Sequence, residues 1–267
     1  MTPQLPKTKV YKHKTYKFYS KRGYMDLKKK ATAVRKDVIR MIARAGKGHT
    51  AVNLGSADIF AALYFGALKH NPRKPTWEER DRVFAGSQYS PVWQTTLAHS
   101  GYFSVKYLFQ GQRELEAHGL SAALGSALAA QMDNKKHHTY CVFSDHELNK
   151  GETWEVLMLA GKHRLNNFTL IIDRSNIQQD GYMEEVMPLE PLRAKLEAFN
   201  WNVIEIDGHN HEHIISALNE ARNASKPTVI VAHTIPGKGV RFIENKYEWY
   251  AKAPTKEEEN AALTELQ

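Results

Sequence analysis

The stretch YCVFSDHELNKGETWEVLMLAGKHRLNNFTLIID, residues 140–173, decides the fold class. It opens on a short apolar run, residues 140–145, and closes on a second, residues 168–173. Between them, residues 151–163 place their apolar side chains at helical spacing. A strand, a helix and a second strand, with both strands apolar on consecutive positions, read as a parallel pair buried on both faces.

The same rhythm continues outward. Downstream, residues 202–207 and 228–233 read as strands, and 191–199 and 213–224 as helices. Upstream, Ala31, Val34, Val38, Ile39 and Ile42 mark a helix that begins at Leu27 and closes at Gly46. Ser56-Ala57-Asp58 opens a second helix that ends before Asn71-Pro72, and a third lies near residues 91–99. The Ala- and Gly-rich segment 117–132 suits a helix packed closely on a sheet, and residues 243–259 read as a polar, aromatic tail. The pattern predicts an α/β fold, a parallel sheet with helices on both faces. Such sheets bind ligands beyond the carboxyl ends of their strands. That rule selects residues 144–151, 174–181, 208–211 and 233–240, which carry Asp145, His146, Asp180, His209 and His211.

Composition narrows the class. The chain has 267 residues, 42% of them hydrophobic and 25% charged, which excludes disordered, collagen-like and coiled-coil proteins. No run approaches the roughly 20 apolar residues of a membrane helix, and no secretory signal core opens the chain. A single cysteine, Cys141, excludes an internal disulfide framework and fits a reducing compartment. A soluble, cytoplasmic protein is expected. The net charge of +8 is local: residues 1–30 hold ten Lys or Arg and one acid, while the rest hold 27 basic and 28 acidic side chains. Residues 1–26 therefore read as a basic, aromatic N-terminal arm and 27–267 as one domain. Lysines among tyrosines could contact nucleic acid, but no nucleic-acid motif follows, and packing against a partner chain is the preferred role.

The motifs then carry a resemblance. Lys47-Gly48-His49-Thr50 with Leu54-Gly55-Ser56-Ala57-Asp58-Ile59 resembles the entry motif of transketolases. Trp77-x-x-Arg80-Asp81-Arg82 is similar to their next signature, and Asp145-x-Glu147-Leu148-x-x-Gly151-x-x-Trp154-Glu155 to their thiamine-diphosphate motif. Asp180-Gly181, Phe199-x-Trp201, Ile206-Asp207-Gly208-His209, Lys226-Pro227, Gly237-Lys238-Gly239 and the stretch 249–257 follow in order. From Leu27 onward the chain resembles the N-terminal subunit of split bacterial transketolases.

The resemblance implies that this half binds thiamine diphosphate and Mg²⁺ with a separate C-terminal transketolase-type chain. The assembly would be an oligomer that moves a two-carbon ketol unit between sugar phosphates. Carried over position by position, it implies catalytic roles for His49 and Glu155. It implies cofactor contacts from Gln88, Asp145, Ser175 and Ile177, with Asp145, the Ser175 hydroxyl and the Ile177 carbonyl on the metal. Mg²⁺ takes oxygen ligands, which these supply.

Several positions depart from the family pattern. Its G-D-G is Ser144-Asp145-His146, its metal-binding Asn aligns with Ser175, and two of its histidines are Gln88 and Tyr250. Lys150 replaces a glutamate, Ala251 replaces a glycine, and residues 109–118 run into Gly119-Leu120-Ser121 without the family's longer loop. Three readings follow: a working transketolase-type subunit, a catalytically silent scaffold or regulatory subunit, and a re-purposed site in which His49, Asp145, His146 and His209 gather round a metal or small anion.

Overall fold

The computed structural model describes residues 21–110 and 119–267. Its centre is a five-stranded parallel sheet in the order β1-β2-β3-β7-β6. The strands are β1 (Arg82–Ala85), β2 (Thr139–Ser144), β3 (Phe168–Arg174), β6 (Asn202–Asp207) and β7 (Thr228–His233). A two-stranded hairpin, β4 (Ile177–Gln178) with β5 (Gly181–Tyr182), projects from the end of β3. The chain lays down β1, β2 and β3 in turn, crosses to the far edge for β6, and returns to fill the gap with β7. The order therefore reverses between β3 and β7, where such sheets open a crevice for ligands.

Consecutive strand residues supply opposite cores, as the pleat requires. Tyr140, Val142, Ile171, Ile230 and Ala232 join the core under α1 (Lys21–Ala45), α2 (Thr50–Gly55), α3 (Ala57–Ala62) and α4 (Ser90–His99). Cys141, Phe143, Leu170, Ile172, Val229 and Val231 join the core under α5 (Leu120–Met132) and α6 (Gly151–Lys162). The short α7 (Met183–Val186) and α8 (Leu192–Ala198) cover that second face, while α9 (His211–Arg222) and α10 (Lys256–Glu265) cover the first. Ala123, Ala127 and Ala130 lie on the buried side of α5, so the Ala-rich segment packs close to the sheet as its composition implied. Gly161 of α6 is similarly obligatory: a Cβ there would stand 2.0 Å from the Phe199 carbonyl oxygen. At the opposite end of the sheet, buried Asp81 accepts from the backbone N–H groups of Lys69 (2.7 Å) and His138 (3.0 Å) and pairs with Arg222. The Trp77–Arg82 signature is thus a strut joining β1, β2 and α9.

Three expectations are corrected. The first helix, expected from Leu27, is α1 and begins at Lys21, packing Tyr24 and Leu27 on the core; the rest of the basic arm lies outside the described residues. The helix expected from Ser56 to Asn71 is α3 closed by a wider turn in which Leu68 N–H reaches the Leu63 carbonyl (2.9 Å), preceded by α2. The tail holds α10, because Thr255 and Glu258 cap it reciprocally: Glu258 N–H donates to Thr255 Oγ1 (3.2 Å) and Thr255 N–H to Glu258 Oε2 (2.8 Å). Among the described residues no helix is long and apolar enough to cross a membrane.

Candidate functional site

The site is assembled where β1, β2, β3 and β7 end. β2 stops at Ser144, and the next turn presents Asp145, His146 and Glu147. Asp145 is fully buried. Its Oδ2 accepts from the Asn176 N–H (2.7 Å) and faces Arg174 Nη1 (3.3 Å); its Oδ1 accepts from the His146 N–H (3.0 Å) and the Ser144 hydroxyl (3.2 Å), with Ser175 Oγ at 3.5 Å. Asn176 reaches it because its backbone sits at φ 61°, a left-handed turn that asparagine tolerates. Burial pushes the Asp145 carboxyl up, against the Asn176 N–H and the Arg174 charge.

Two further buried carboxyls flank it. Glu147 accepts from Gln88 Nε2 (2.8 Å) and the Ser144 N–H (3.2 Å), with Lys150 Nζ at 3.6 Å, and burial pushes it up against the Gln88 bond. Gly86 leaves room for that contact, since a Cβ would meet Gln88 Oε1 at 2.6 Å and Glu147 Oε2 at 2.7 Å. Asp173, at the end of β3, accepts from the Tyr89 hydroxyl (3.0 Å) and from Thr234 Oγ1. Burial raises it to about 7, opposed by the Thr234 bond and reinforced by the Asp145 charge.

A wall of rings stands beside these carboxyls. His49 meets Tyr250 edge-on at 5.2 Å between centroids, and His146 meets Tyr250 edge-on at 5.6 Å. The Tyr250 hydroxyl lies within 3.3 Å of both His146 nitrogens, and His146 Nδ1 is 2.8 Å from Ser144 Oγ. Burial lowers His49, and it lowers His146 to about 4 with help from Lys150 and His49. Both imidazoles are therefore neutral near pH 7. Asn53 ties the walls together: its Nδ2 donates to the His49 and Gln88 carbonyls (2.7 Å each), and its Oδ1 accepts from Val92 N–H (2.9 Å).

Of the residues selected from sequence, His49, Gln88, Asp145 and Ser175 meet here. Ile177 is buried in β4, just beyond Ser175. Glu155 lies on the exposed side of α6, outside this cluster. His209 does not join His49, Asp145 and His146. It accepts from the Ile235 N–H through Nε2 (2.7 Å), so its Nδ1 is the protonated nitrogen and donates to Asp58 (2.7 Å). Asp58 also pairs with Arg35 (2.5 Å), and His211 Nε2 lies 3.3 Å away. Burial would raise the Asp58 carboxyl, but Arg35 and the two histidines hold it well below the carboxylate range. The re-purposed His/Asp site is thereby corrected: its fourth member is spent on a structural cluster, and among the described residues no set of three His, Cys, Asp or Glu side chains is arranged around a metal position. Asp180 is exposed on the β4–β5 turn. Asp173 and Tyr89 were not selected from sequence, and Arg174 only as the first residue of the segment 174–181; the position of Asp173 at a strand's carboxyl end could have flagged it.

The oxygens at Asp145 are its own carboxylate and the Ser175 hydroxyl, 3.5 Å from Oδ1, with Ile177 two residues further on in the adjoining hairpin. Of the three buried carboxyls Arg174 contacts Asp145, Lys150 lies near Glu147, and Asp173 has only neutral donors, so a hard divalent cation would add counter-charge to the cluster. Oxygen donors with that charge deficit fit Mg²⁺ and not a soft metal.

Comparison with known proteins decides what this arrangement descends from. The family model for the thiamine diphosphate binding domain of transketolase matches residues 27–118 and 110–266, two overlapping segments that together span almost all of the chain. The chain belongs to the transketolase family. It is 37% identical to the 6-deoxy-6-sulfo-D-fructose transketolase subunit SqwG of Clostridium sp. (strain MSTE9), over 91% of this chain and 97% of that protein. It is 32% identical to an apulose-4-phosphate transketolase subunit of Actinobacillus succinogenes, with the same coverages. The transketolase structure from Campylobacter jejuni superposes with a TM-score of 0.83 at 30% identity, covering 91% of this chain but 43% of that one. This transketolase-family chain is therefore of the split, N-terminal-subunit kind, matching subunit-length relatives nearly end to end and under half of a full-length transketolase.

Proposed function

We propose that the chain is the diphosphate-side subunit of a cytoplasmic two-chain transketolase, transferring a two-carbon ketol unit between sugar phosphates together with a C-terminal partner chain. The observation that carries this is the convergence of Asp145, the Gln88–Glu147 pair and His49 beyond the carboxyl ends of β1, β2 and β3, the end at which such sheets bind ligands. Thiamine diphosphate, when bound, would supply the carbanion chemistry. Asp145, the Ser175 hydroxyl and the Ile177 carbonyl would hold its Mg²⁺. His49, neutral and half-buried, would accept protons from substrate hydroxyls; Gln88 can donate a hydrogen bond there but cannot shuttle a proton. Tyr250 and His146 close the other side and exclude water. Glu155 and the exposed apolar side chains of Met132, Met158 and Leu159 on α5 and α6 support a partner-facing role for those helices. The test is ketol transfer by the chain mixed with its C-terminal partner, against His49→Ala as control.

A second reading, a catalytically silent scaffold or regulatory subunit, is favoured by one observation: Asp145 already has Arg174 as counter-charge, and His146 with Tyr250 fills space beside it. It predicts assembly with the partner without cofactor binding.

A further inference from the structure

Arg174 is, among the described residues, the single guanidinium in contact with the site's carboxyls. It is 4% exposed at the end of β3 and faces two ways. Inward, Nη1 stands 3.3 Å from Oδ2 of the fully buried Asp145. Outward, Nη2 bonds Glu184 Oε1 at 2.9 Å and Glu190 Oε1 at 3.3 Å, carboxylates whose side chains are 55% and 61% exposed. Glu190 is itself anchored, its Oε2 accepting from the Leu192 N–H (2.8 Å) at the start of α8. The inner contact is long and single, while the outer side is shorter and double.

A guanidinium keeps its charge at any physiological pH, and a buried carboxylate is costly without a counter-charge. A dication on Asp145 would stand within a few ångströms of Nη1 and be repelled by it. We infer that Arg174 is a resident counter-cation of Asp145, which a divalent ion must displace outward onto Glu184 and Glu190 in order to bind. The inference rests on the reading of Asp145 as a metal ligand and adds to it that this chain's cation affinity is set by an internal competitor. The alternative role, a fixed orienting partner that helps Asp145 hold the ion, has the opposite consequence.

The experiment is titration of Mn²⁺ alone into the full chain, free Mn²⁺ being read by electron paramagnetic resonance, with no thiamine diphosphate present. Arg174→Gln should tighten Mn²⁺ binding by about tenfold or more; unchanged or weaker binding, or no binding by either protein, would overturn the inference. Should Arg174→Gln not fold, the unaltered protein decides through its ¹⁵N-arginine side-chain signals, assigned by loss in Arg174→Lys. Mg²⁺ should shift the Arg174 signal, and a signal unmoved at saturating Mg²⁺ would count against displacement. Failure of the ketol-transfer reading appears separately, as absence of cofactor binding in the two-chain assembly, and leaves the Mn²⁺ result readable.

Discussion

Gln88 donates its amide N–H to Glu147 at 2.8 Å, joining the loop after β1 to the turn after β2 inside the protein. A glutamine here keeps the buried carboxylate supplied with a neutral donor. Truncation to alanine strips Glu147 of that donor while Lys150 stays at 3.6 Å. Gln88→Ala should cost about 1–3 kcal/mol, read as a lower urea midpoint at unchanged slope. A loss below a few tenths would mean that Glu147 does not depend on this bond.

Asp173 makes stability fall with rising pH. Its carboxyl is raised from 3.8 to about 7, with burial as the main cause. Between those values the unfolded chain is ionised at this position while the folded chain keeps its proton. The contribution is fully present below about pH 4 and is lost as pH rises through about 7. Asp173→Asn should therefore gain on the parent protein as pH climbs from 4 to 7, and the difference should be flat above. Denaturant curves at stepped pH measure it; a constant difference would contradict the assignment.

His146 works in the opposite sense. It is lowered from 6.5 to about 4 by burial, then by Lys150 and His49. The unfolded chain binds the extra proton between those values, so this contribution is present above about pH 6.5 and lost as pH falls through about 4. His146→Asn should lose the acid-side decline relative to the parent protein. The same pH series reads it, and an acid limb unchanged by the substitution would show that His146 is not the group responsible.

The fold was legible because four of its strands carry apolar runs: β2, β3, β6 and β7 lie within a residue of the stretches 140–145, 168–173, 202–207 and 228–233. β1 was not, since four edge residues headed by Arg82, three of them half-buried, carry no such run. α10 was missed although Thr255-Lys256-Glu257-Glu258 is a capping pattern visible in the sequence; its polar surface hid the periodicity. In the site, the motif around Asp145 gave the strand end and Glu147. It could not give Tyr250, brought to His146 from 104 positions away, nor the side-chain direction of Arg174, 29 positions from Asp145. Those contacts are made by the tertiary fold, and local pattern does not encode them.

The cluster around Asp58 is structural on this account. Its carboxylate holds Arg35, His209 and His211 together beneath α1 and α9. Asp58→Asn leaves a buried arginine uncompensated and should destabilise the chain by about 3–5 kcal/mol, visible as a fall in thermal midpoint. Cation binding at Asp145, assayed with Mn²⁺ on the folded fraction, should be unaffected. Loss of Mn²⁺ binding at full folding would instead make the two clusters one site.

Gly161 tests the packing between α6 and the turn that carries Phe199. With a carbonyl oxygen 2.0 Å from the place a Cβ would take, Gly161→Ala must push the two apart at a cost of roughly 1–3 kcal/mol. The helix-propensity gain of alanine, about 1 kcal/mol, would win only if that turn moved freely.

The central claim is that the crevice at Asp145 still holds thiamine diphosphate with Mg²⁺ when the chain is joined to its C-terminal partner. Isothermal titration of the cofactor with Mg²⁺ into the chain, alone and in that assembly, tests it most directly. The account predicts binding in the assembly in the micromolar range, about −8 kcal/mol. No heat at millimolar cofactor in either setting would contradict it and leave the silent scaffold as the function of this chain.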